Sequence, residues 1–97
     1  MSLKKNKTIN KVRRKLDSLD SRLLNIIQIR TKLVDQILKK KNSKKQIVDK
    51  KRIKVILKNI KRKSLNKKID VKLTKMIWLG MIKAYIDFEY SNIEFCY

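Results

Sequence analysis

The chain has 97 residues, of which 42% are hydrophobic, and a formal net charge of +20, so we expect one small domain with a thin core. Proline and histidine are absent, and Gly80 and Cys96 are the one glycine and the one cysteine. This excludes an intramolecular disulfide and argues against a zinc site. The composition predicts an all-α fold. We expect no metal or other cofactor.

The positive charge has two interpretations. A dense basic surface favours nucleic-acid binding, because bound phosphates release counterions. However, only six of the 28 basic residues are arginine, and the abundant lysine, isoleucine and asparagine are typical of proteins encoded by A/T-rich genomes. We therefore do not expect nucleic acid as a partner, and keep a basic helical nucleic-acid-binding protein as an alternative. The polar residues 1–10 and the short apolar stretch 76–82 predict neither a signal peptide nor a membrane span, which favours the cytoplasm.

The first predicted element is a long helix. Apolar residues recur in alternating steps of three and four from Ile9 to Ile37, which predicts a helix of roughly thirty residues, about 45 Å long. Residues 1–8 are expected to form a flexible basic tail to a single domain that spans residues 1–97. Because the rest of the chain offers only shorter helices, a second copy of the chain is the expected partner of this one.

Two further helices are predicted after a basic loop at residues 39–45. Asp49 stands where an N-cap would, before a short helix that ends in the basic run 61–68. Asp70 is a second N-cap candidate, and it opens a medium helix whose apolar residues predict that it is well buried. We expect one long, one short and one medium helix per chain, with the basic runs in the loops.

Arg30 is the anomaly of the first helix, because it occupies a position of the stripe where its neighbours are aliphatic. A guanidinium cannot lose its charge, so an anion is expected to meet it. If the helix continues, Lys41 lies three turns further on and on the same face. Arg13 projects about a quarter-turn away from Arg30 and lies some 25 Å along the axis, so it reaches that face only from an antiparallel partner.

Taken together, these residues resemble the all-helical, type II chorismate mutases, including their isochorismate-pyruvate lyase branch. The resemblance covers residues 12–89, about four fifths of the chain. The matching features are, in order, Arg13, the pair Leu19-Asp20, the pair Leu23-Leu24, Arg30, Lys41, the element Val48-Asp49-x-x-Arg52, and the pattern Ile-Trp-x-x-Met-Ile-x-Ala-x-Ile-x-x-x-Glu from Ile77 to Glu89.

The resemblance implies an intertwined homodimer with two equivalent sites for a dicarboxylate, either chorismate or isochorismate. Each site is built mostly from one chain and is completed by Arg13 of the other. By the same resemblance, Arg13 and Arg30 bind carboxylates, and Lys41 binds a carboxylate and the ether oxygen. Asp49 helps to hold the ring hydroxyl. Arg52 completes the wall of cations formed with Arg13, Arg30 and Lys41, which we call the cationic wall. Glu89 faces the ether oxygen opposite Lys41, so Lys41, Glu89 and Arg30 are the catalytic candidates.

The implied reaction rearranges chorismate to prephenate for aromatic amino-acid biosynthesis. It is a unimolecular pericyclic step, so the protein has only to hold the folded conformer and stabilise the developing negative charge. A nucleophile is therefore not required. Glu89 can donate to the ether oxygen only as the protonated acid, which an apolar environment favours. This predicts activity that declines as the pH rises.

Two positions depart from the mutase pattern and resemble the lyase branch, which yields salicylate and pyruvate from isochorismate. Ile53 stands where the mutases usually have a glutamate that accepts the ring hydroxyl, and Tyr85 stands where they usually have serine. Asp49 favours the mutases, so a mutase is the first prediction and a lyase the alternative. A degenerate copy that regulates a partner enzyme is a further alternative.

Overall fold

The computed structural model describes residues 3–40 and 48–93, which form three α-helices and, within these ranges, no strand. Helix α1 covers Leu3–Leu38, α2 covers Lys50–Asn66 and α3 covers Val71–Ile93. The all-α class and the order long, short, medium are therefore confirmed. The chain divides into two compact units, residues 1–36 and residues 37–97, so the second unit contains the end of α1 together with α2 and α3.

Helix α1 is longer than expected, since it has 36 residues and begins at Leu3, within the range assigned to a tail. Its first residues are lysine, asparagine and threonine without glycine or proline, so nothing in that stretch stops helix propagation. The helix ends at Leu38, where the Lys40 N–H donates to the Ile37 carbonyl at 3.0 Å and closes a turn.

The apolar stripe of α1 is exposed in the single chain. Seven of its side chains are between 49% and 58% exposed: Val12, Leu16, Leu19, Leu23, Ile26, Leu33 and Ile37. A helix in water normally turns such a stripe towards a partner. The periodicity therefore predicted the helix correctly, while the surface that it predicts to be covered is open in the protomer.

Helix α2 begins as predicted, because Asp49 is its N-cap and accepts a hydrogen bond from the Arg52 backbone N–H at 3.0 Å. Its predicted end is wrong. The basic run 61–68 was expected to be a loop, but α2 continues to Asn66, so residues 61–66 are helical and only residues 67 and 68 form a tight turn. Lysine, arginine and leucine are strong helix formers, so a run of cations alone does not break a helix.

The end of α2 is set by backbone geometry at Lys68, whose φ of 58° is in the left-handed region. The Ile69 N–H donates to the Ser64 carbonyl at 2.9 Å and the Lys68 N–H donates to the Leu65 carbonyl at 3.2 Å. These two bonds form a Schellman motif, in which glycine is usual at the left-handed position. A lysine there costs on the order of 1 kcal/mol relative to glycine.

Helices α2 and α3 form an antiparallel hairpin. Asp70 caps α3 as predicted, since its Oδ1 accepts from the Lys72 N–H at 2.8 Å and the Leu73 N–H at 3.3 Å. Across the hairpin, the Ser64 and Thr74 hydroxyls are 2.8 Å apart and both residues are buried. Ser64 Oγ also lies 2.7 Å from the Ile60 carbonyl, and Thr74 Oγ1 lies 3.2 Å from the Val71 carbonyl, so each hydroxyl has a backbone acceptor besides its partner hydroxyl.

The buried apolar centre of the second unit lies at the far end of this hairpin. Leu38, 4% exposed, packs against Ile86 and Tyr90 of α3. The expectation that α3 is well buried is wrong for the protomer, because Leu73, Met76 and Ile77 are exposed. Helix α3 is apolar around most of its circumference, and α2 covers only one side of it. No helix among residues 3–40 and 48–93 is long and apolar enough to cross a membrane.

Candidate functional site

The register of the hairpin places the predicted site residues of α2 and α3 at one end of it. Ser64 and Thr74 are in contact, and two antiparallel α-helices rise equally per residue, so Ile53 on α2 is level with Tyr85 on α3. By the same register, the N-cap Asp49 is level with Glu89. This is also the end at which Leu38 packs against α3, so the end of α1 and the start of α2 flank the same part of α3.

Glu89 is the most buried ionisable side chain of the described residues, at 7% exposure. It lies one turn from Tyr85 and between Ile86 and Tyr90, the two residues of α3 that pack against Leu38. No buried side-chain nitrogen or oxygen of the described residues lacks a hydrogen-bond partner. A carboxyl group in such surroundings is held in place and partly dehydrated, as hydrogen-bonding groups of active sites usually are.

The side chains near Glu89 at this end of the hairpin are aromatic and aliphatic. Tyr85 is half-buried, and its ring meets that of Phe88 edge to face, with centroids 6.3 Å apart and an interplanar angle of 89°. Ile53 is half-buried at the same level of α2. These side chains give this part of the hairpin an apolar surface next to one carboxyl group and the Tyr85 hydroxyl.

The two predicted site residues at the start of α2 are exposed. Asp49 already has a structural role, because its carboxylate caps α2. The hydrogen bond that it accepts comes from the Arg52 backbone N–H, so the two residues are held together by the first turn of the helix. Binding of a ring hydroxyl by Asp49, and of a carboxylate by the Arg52 side chain, stays a prediction.

In the first unit, Arg30 and Arg13 lie on the one continuous helix α1, as predicted, with about 25 Å between them along its axis. Arg30 is half-buried and Arg13 is exposed. Arg30 is therefore more covered than its stripe neighbours Ile26 and Leu33, which are both more than half exposed. One chain does not bring the two arginines together, in agreement with the helical geometry.

Lys41 lies outside the described residues. The prediction that it shares a face with Arg30 extends the helical repeat to residue 41, whereas α1 ends at Leu38. The alignment of Lys41 with Arg30 therefore stays a prediction.

The Ser64–Thr74 contact was not predicted, although the periodicity of α3 indicates which side of the helix Thr74 occupies. Thr74 precedes Trp78, Met81 and Tyr85 in steps of four, three and four, which is the periodicity of the side of α3 that faces α2. A buried hydroxyl at such a position requires a partner from the neighbouring helix or its own backbone.

Among the described residues, no three His, Cys, Asp or Glu side chains form a group able to hold a metal ion.

Comparison with protein-family models gives a match to chorismate mutase type II over residues 12–90. The matched region includes most of α1, all of α2 and α3 up to Tyr90. The chain belongs to the chorismate mutase type II family. Searches of curated proteins and of solved structures gave no significant match. Membership of this family implies a chorismate-type substrate and mutase chemistry, and the resemblance inferred from the sequence is thereby confirmed.

Proposed function

We propose that this chorismate mutase type II chain catalyses the rearrangement of chorismate to prephenate and that it does so as a homodimer. Glu89 carries the proposal. It is a carboxyl group 7% exposed, at the position where the resemblance inferred from the sequence has the group that faces the breaking ether bond. A buried carboxyl at that place is suited to donate a hydrogen bond to an oxygen on which negative charge develops.

The rearrangement breaks one C–O bond and forms one C–C bond within the same molecule, so atoms and electrons balance without a co-reactant. The protein contributes by holding the substrate in its folded conformer and by stabilising the ether oxygen. Arginine suits the first task, because its planar fork binds a carboxylate through two hydrogen bonds. The half-buried Arg30 is the cation of α1 best placed for it, since its surroundings are partly shielded from water.

The remaining roles follow the family pattern. Lys41 binds a carboxylate and the ether oxygen from the side opposite Glu89. Asp49 and Arg52, joined by the α2 cap, bind the ring hydroxyl and a carboxylate respectively. Tyr85 lines the pocket, and Arg13 of a second copy completes it.

The length of α1 supports the contribution of Arg13 from a second copy. The midpoint of α1 lies between Asp20 and Ser21, so Arg13 precedes it by about as many residues as separate it from Arg30. Two copies of α1 that pair antiparallel along their full length would bring Arg13 of one chain level with Arg30 of the other to within about two residues, roughly 3 Å along the axis. The exposed stripe is the surface available for that pairing.

A second activity, isochorismate-pyruvate lyase, is favoured by one specific observation. Ile53 and Tyr85 are half-buried at the same level of the hairpin, where a mutase usually has a carboxylate for the ring hydroxyl and a serine. This apolar pair leaves the usual hydroxyl position without its acceptor. Lyase activity would release pyruvate and salicylate from isochorismate over the same cationic wall.

Assays of the purified chain with each substrate distinguish the two activities. We expect prephenate from chorismate at a higher kcat/KM than salicylate from isochorismate. Ile53→Glu should raise the mutase rate and leave the lyase rate unchanged or lower, because it restores a hydroxyl acceptor. Salicylate as the main product would refute the mutase proposal in favour of the lyase, and the absence of both products would refute the catalytic proposal.

Substitution of Glu89 tests its role. Glu89→Ala removes the hydrogen-bonding group proposed to face the ether oxygen and should lower kcat/KM for chorismate on the order of a hundredfold, because the developing negative charge loses a hydrogen bond. Glu89→Gln keeps an N–H donor at that place and should retain more activity than Glu89→Ala. Asp87→Asn, which changes an exposed acid on the same helix, is the matched control and should retain the wild-type rate. Equal rates for the wild type and Glu89→Ala would exclude this role.

A further inference from the structure

The positive charge is unevenly distributed along the chain, and the mutase site accounts for little of it. Between Asp49 and Asp70 the sequence has ten lysine or arginine residues and no acidic residue. Of these, only Arg52 has a proposed role in the site. The other cations of the proposed site, Arg13, Arg30 and Lys41, lie outside this segment, so most of the charge of α2 has no proposed role in catalysis.

Helical geometry places half of these cations on one face of α2. We define this cationic face as Lys51, Lys54, Lys58, Lys61 and Arg62, which recur in steps of three, four, three and one. All five are exposed. The opposite face, with Ile56, Ile60 and Ser64, is turned towards α3. The cationic face is therefore held on a helix whose other side is occupied, and it extends about 16 Å along the axis.

We propose that the cationic face of α2 is a binding surface for double-stranded nucleic acid, which it contacts through phosphates without reading the base sequence. Duplex DNA carries one negative charge per roughly 1.7 Å of its axis, so a straight row of cations 16 Å long faces about five base pairs of phosphates. Lysine, which dominates the face, binds phosphate as a point charge and has no fork to recognise a base edge.

Other anionic partners fit this face less well. Single-stranded nucleic acid is bound largely by stacking on aromatic side chains, and α2 has none. A protein interface usually has aromatic or large apolar anchors at its centre, whereas the centre of this face is lysine. Attachment to a membrane by an amphipathic helix requires a free apolar side, and the apolar side of α2 faces α3.

The experiment compares two triple variants of the full-length chain that remove the same charge. Lys54, Lys58 and Lys61 are changed to Gln in the first, which alters the cationic face. Lys32, Lys72 and Lys83 are changed to Gln in the second; these are exposed lysines of α1 and α3. Binding to a labelled 20-base-pair duplex is measured by fluorescence anisotropy between 50 and 300 mM salt, with a second duplex of unrelated sequence, a single strand and vesicles containing anionic lipid as further probes.

We expect the wild type to bind both duplexes with similar affinity and with a steep salt dependence. The first variant should lose three phosphate contacts, so the slope of log K against log salt should fall in magnitude by about three and affinity at 0.15 M salt should drop on the order of a hundredfold. The second variant should keep the wild-type slope within about one. Both variants should keep the mutase rate, because none of these lysines has a role in the site.

Several results would overturn the proposal. Equal losses in the two variants would show that total charge, and not this face, determines binding. Tighter binding to the single strand or to vesicles than to the duplex would assign the face to another partner. Absence of duplex binding by the wild type at 0.15 M salt would refute the proposal that the cationic face binds nucleic acid. The mutase assay is read separately, so none of these results affects the proposed enzymatic function.

Discussion

The two units of this chain differ in how much of their structure they fix by themselves. The α2–α3 hairpin has an aspartate cap at the start of each helix, a Schellman motif in its turn and a buried hydroxyl pair between the helices. Helix α1 before residue 37 instead has apolar side chains that are about half exposed along its stripe. A short hairpin can thus be determined by local interactions, whereas a long amphipathic helix depends on what covers its stripe.

The largest effect on activity is expected from substitution of Arg30, which lies on α1 and is proposed to bind a substrate carboxylate. Arg30→Ala should lower kcat/KM for chorismate by at least about a hundredfold, because a partly shielded guanidinium that binds a carboxylate contributes several kcal/mol. Arg14→Ala changes an exposed arginine on the opposite side of α1 and should have little effect. Steady-state kinetics of the two variants provide the test, and similar losses in both would contradict a specific role for Arg30.

The next effect concerns the stripe itself. In an antiparallel pairing about the α1 midpoint, Leu19 of one copy lies beside Leu23 of the other. Leu23→Asp should therefore weaken the dimer at least about a hundredfold, since it places two unpaired charges in the interface. The protomer should keep its helical content, because Leu23 is 54% exposed there.

Ile29→Asp is the matched control for Leu23→Asp, since Ile29 is 59% exposed and lies about 100° or more around α1 from the centre of the stripe. Sedimentation equilibrium measures the mass of both variants, and circular dichroism measures their helicity. If Leu23→Asp stays as associated as Ile29→Asp, the stripe is not the dimer interface.

A smaller effect is expected inside the hairpin. Ser64→Ala and Thr74→Val should each lower the free energy of unfolding by about 1 kcal/mol, and their double-mutant cycle should give a coupling energy of similar size, because the two hydroxyls satisfy each other. Ser91→Ala removes an exposed hydroxyl that donates to the Asp87 carbonyl one turn earlier, and it should change the stability by less than about 0.5 kcal/mol. Urea denaturation measures all four variants, and additive losses would show that the pair is not coupled.

The smallest effect is a gain in stability at the hairpin turn. Lys68→Gly should raise the free energy of unfolding by about 1 kcal/mol, because glycine adopts a φ of 58° without the steric cost that lysine has there. Lys67→Gly is the control, since Lys67 has a right-handed φ of −89° and gains nothing from glycine. If both substitutions destabilise the chain equally in urea denaturation, the left-handed geometry of Lys68 does not determine its contribution.

The features that were predicted correctly from the sequence depend on hydrogen bonds between near neighbours in the chain. Asp49 and Asp70 were predicted as caps because the hydrogen bonds of a cap span three residues or fewer. The end of α2 was missed because the basic run was taken for a loop, whereas the bonds of the turn made by Lys68 and Ile69 decide it. The alignment of Lys41 with Arg30 extends helical periodicity beyond Leu38, where α1 ends, and stays a prediction.

For the site, the sequence supplied the candidate residues and the family, and the family match over residues 12–90 confirmed the latter. It did not supply the burial of Glu89, or the packing of Leu38 against Ile86 and Tyr90 that surrounds it. Burial depends on which helices meet, and the two sides of this contact lie almost fifty residues apart in the chain.

The sequence by itself determined the number, type and order of the helices, their two acidic caps and the membership of the family. These properties follow from periodicity, from capping chemistry and from the ordered residue pattern, all of which can be read along one dimension. Only the tertiary structure decided which hydroxyls pair across the hairpin and which end of it buries a carboxyl group. Those features depend on the register of α2 against α3, and that register is set by contacts between residues distant in sequence.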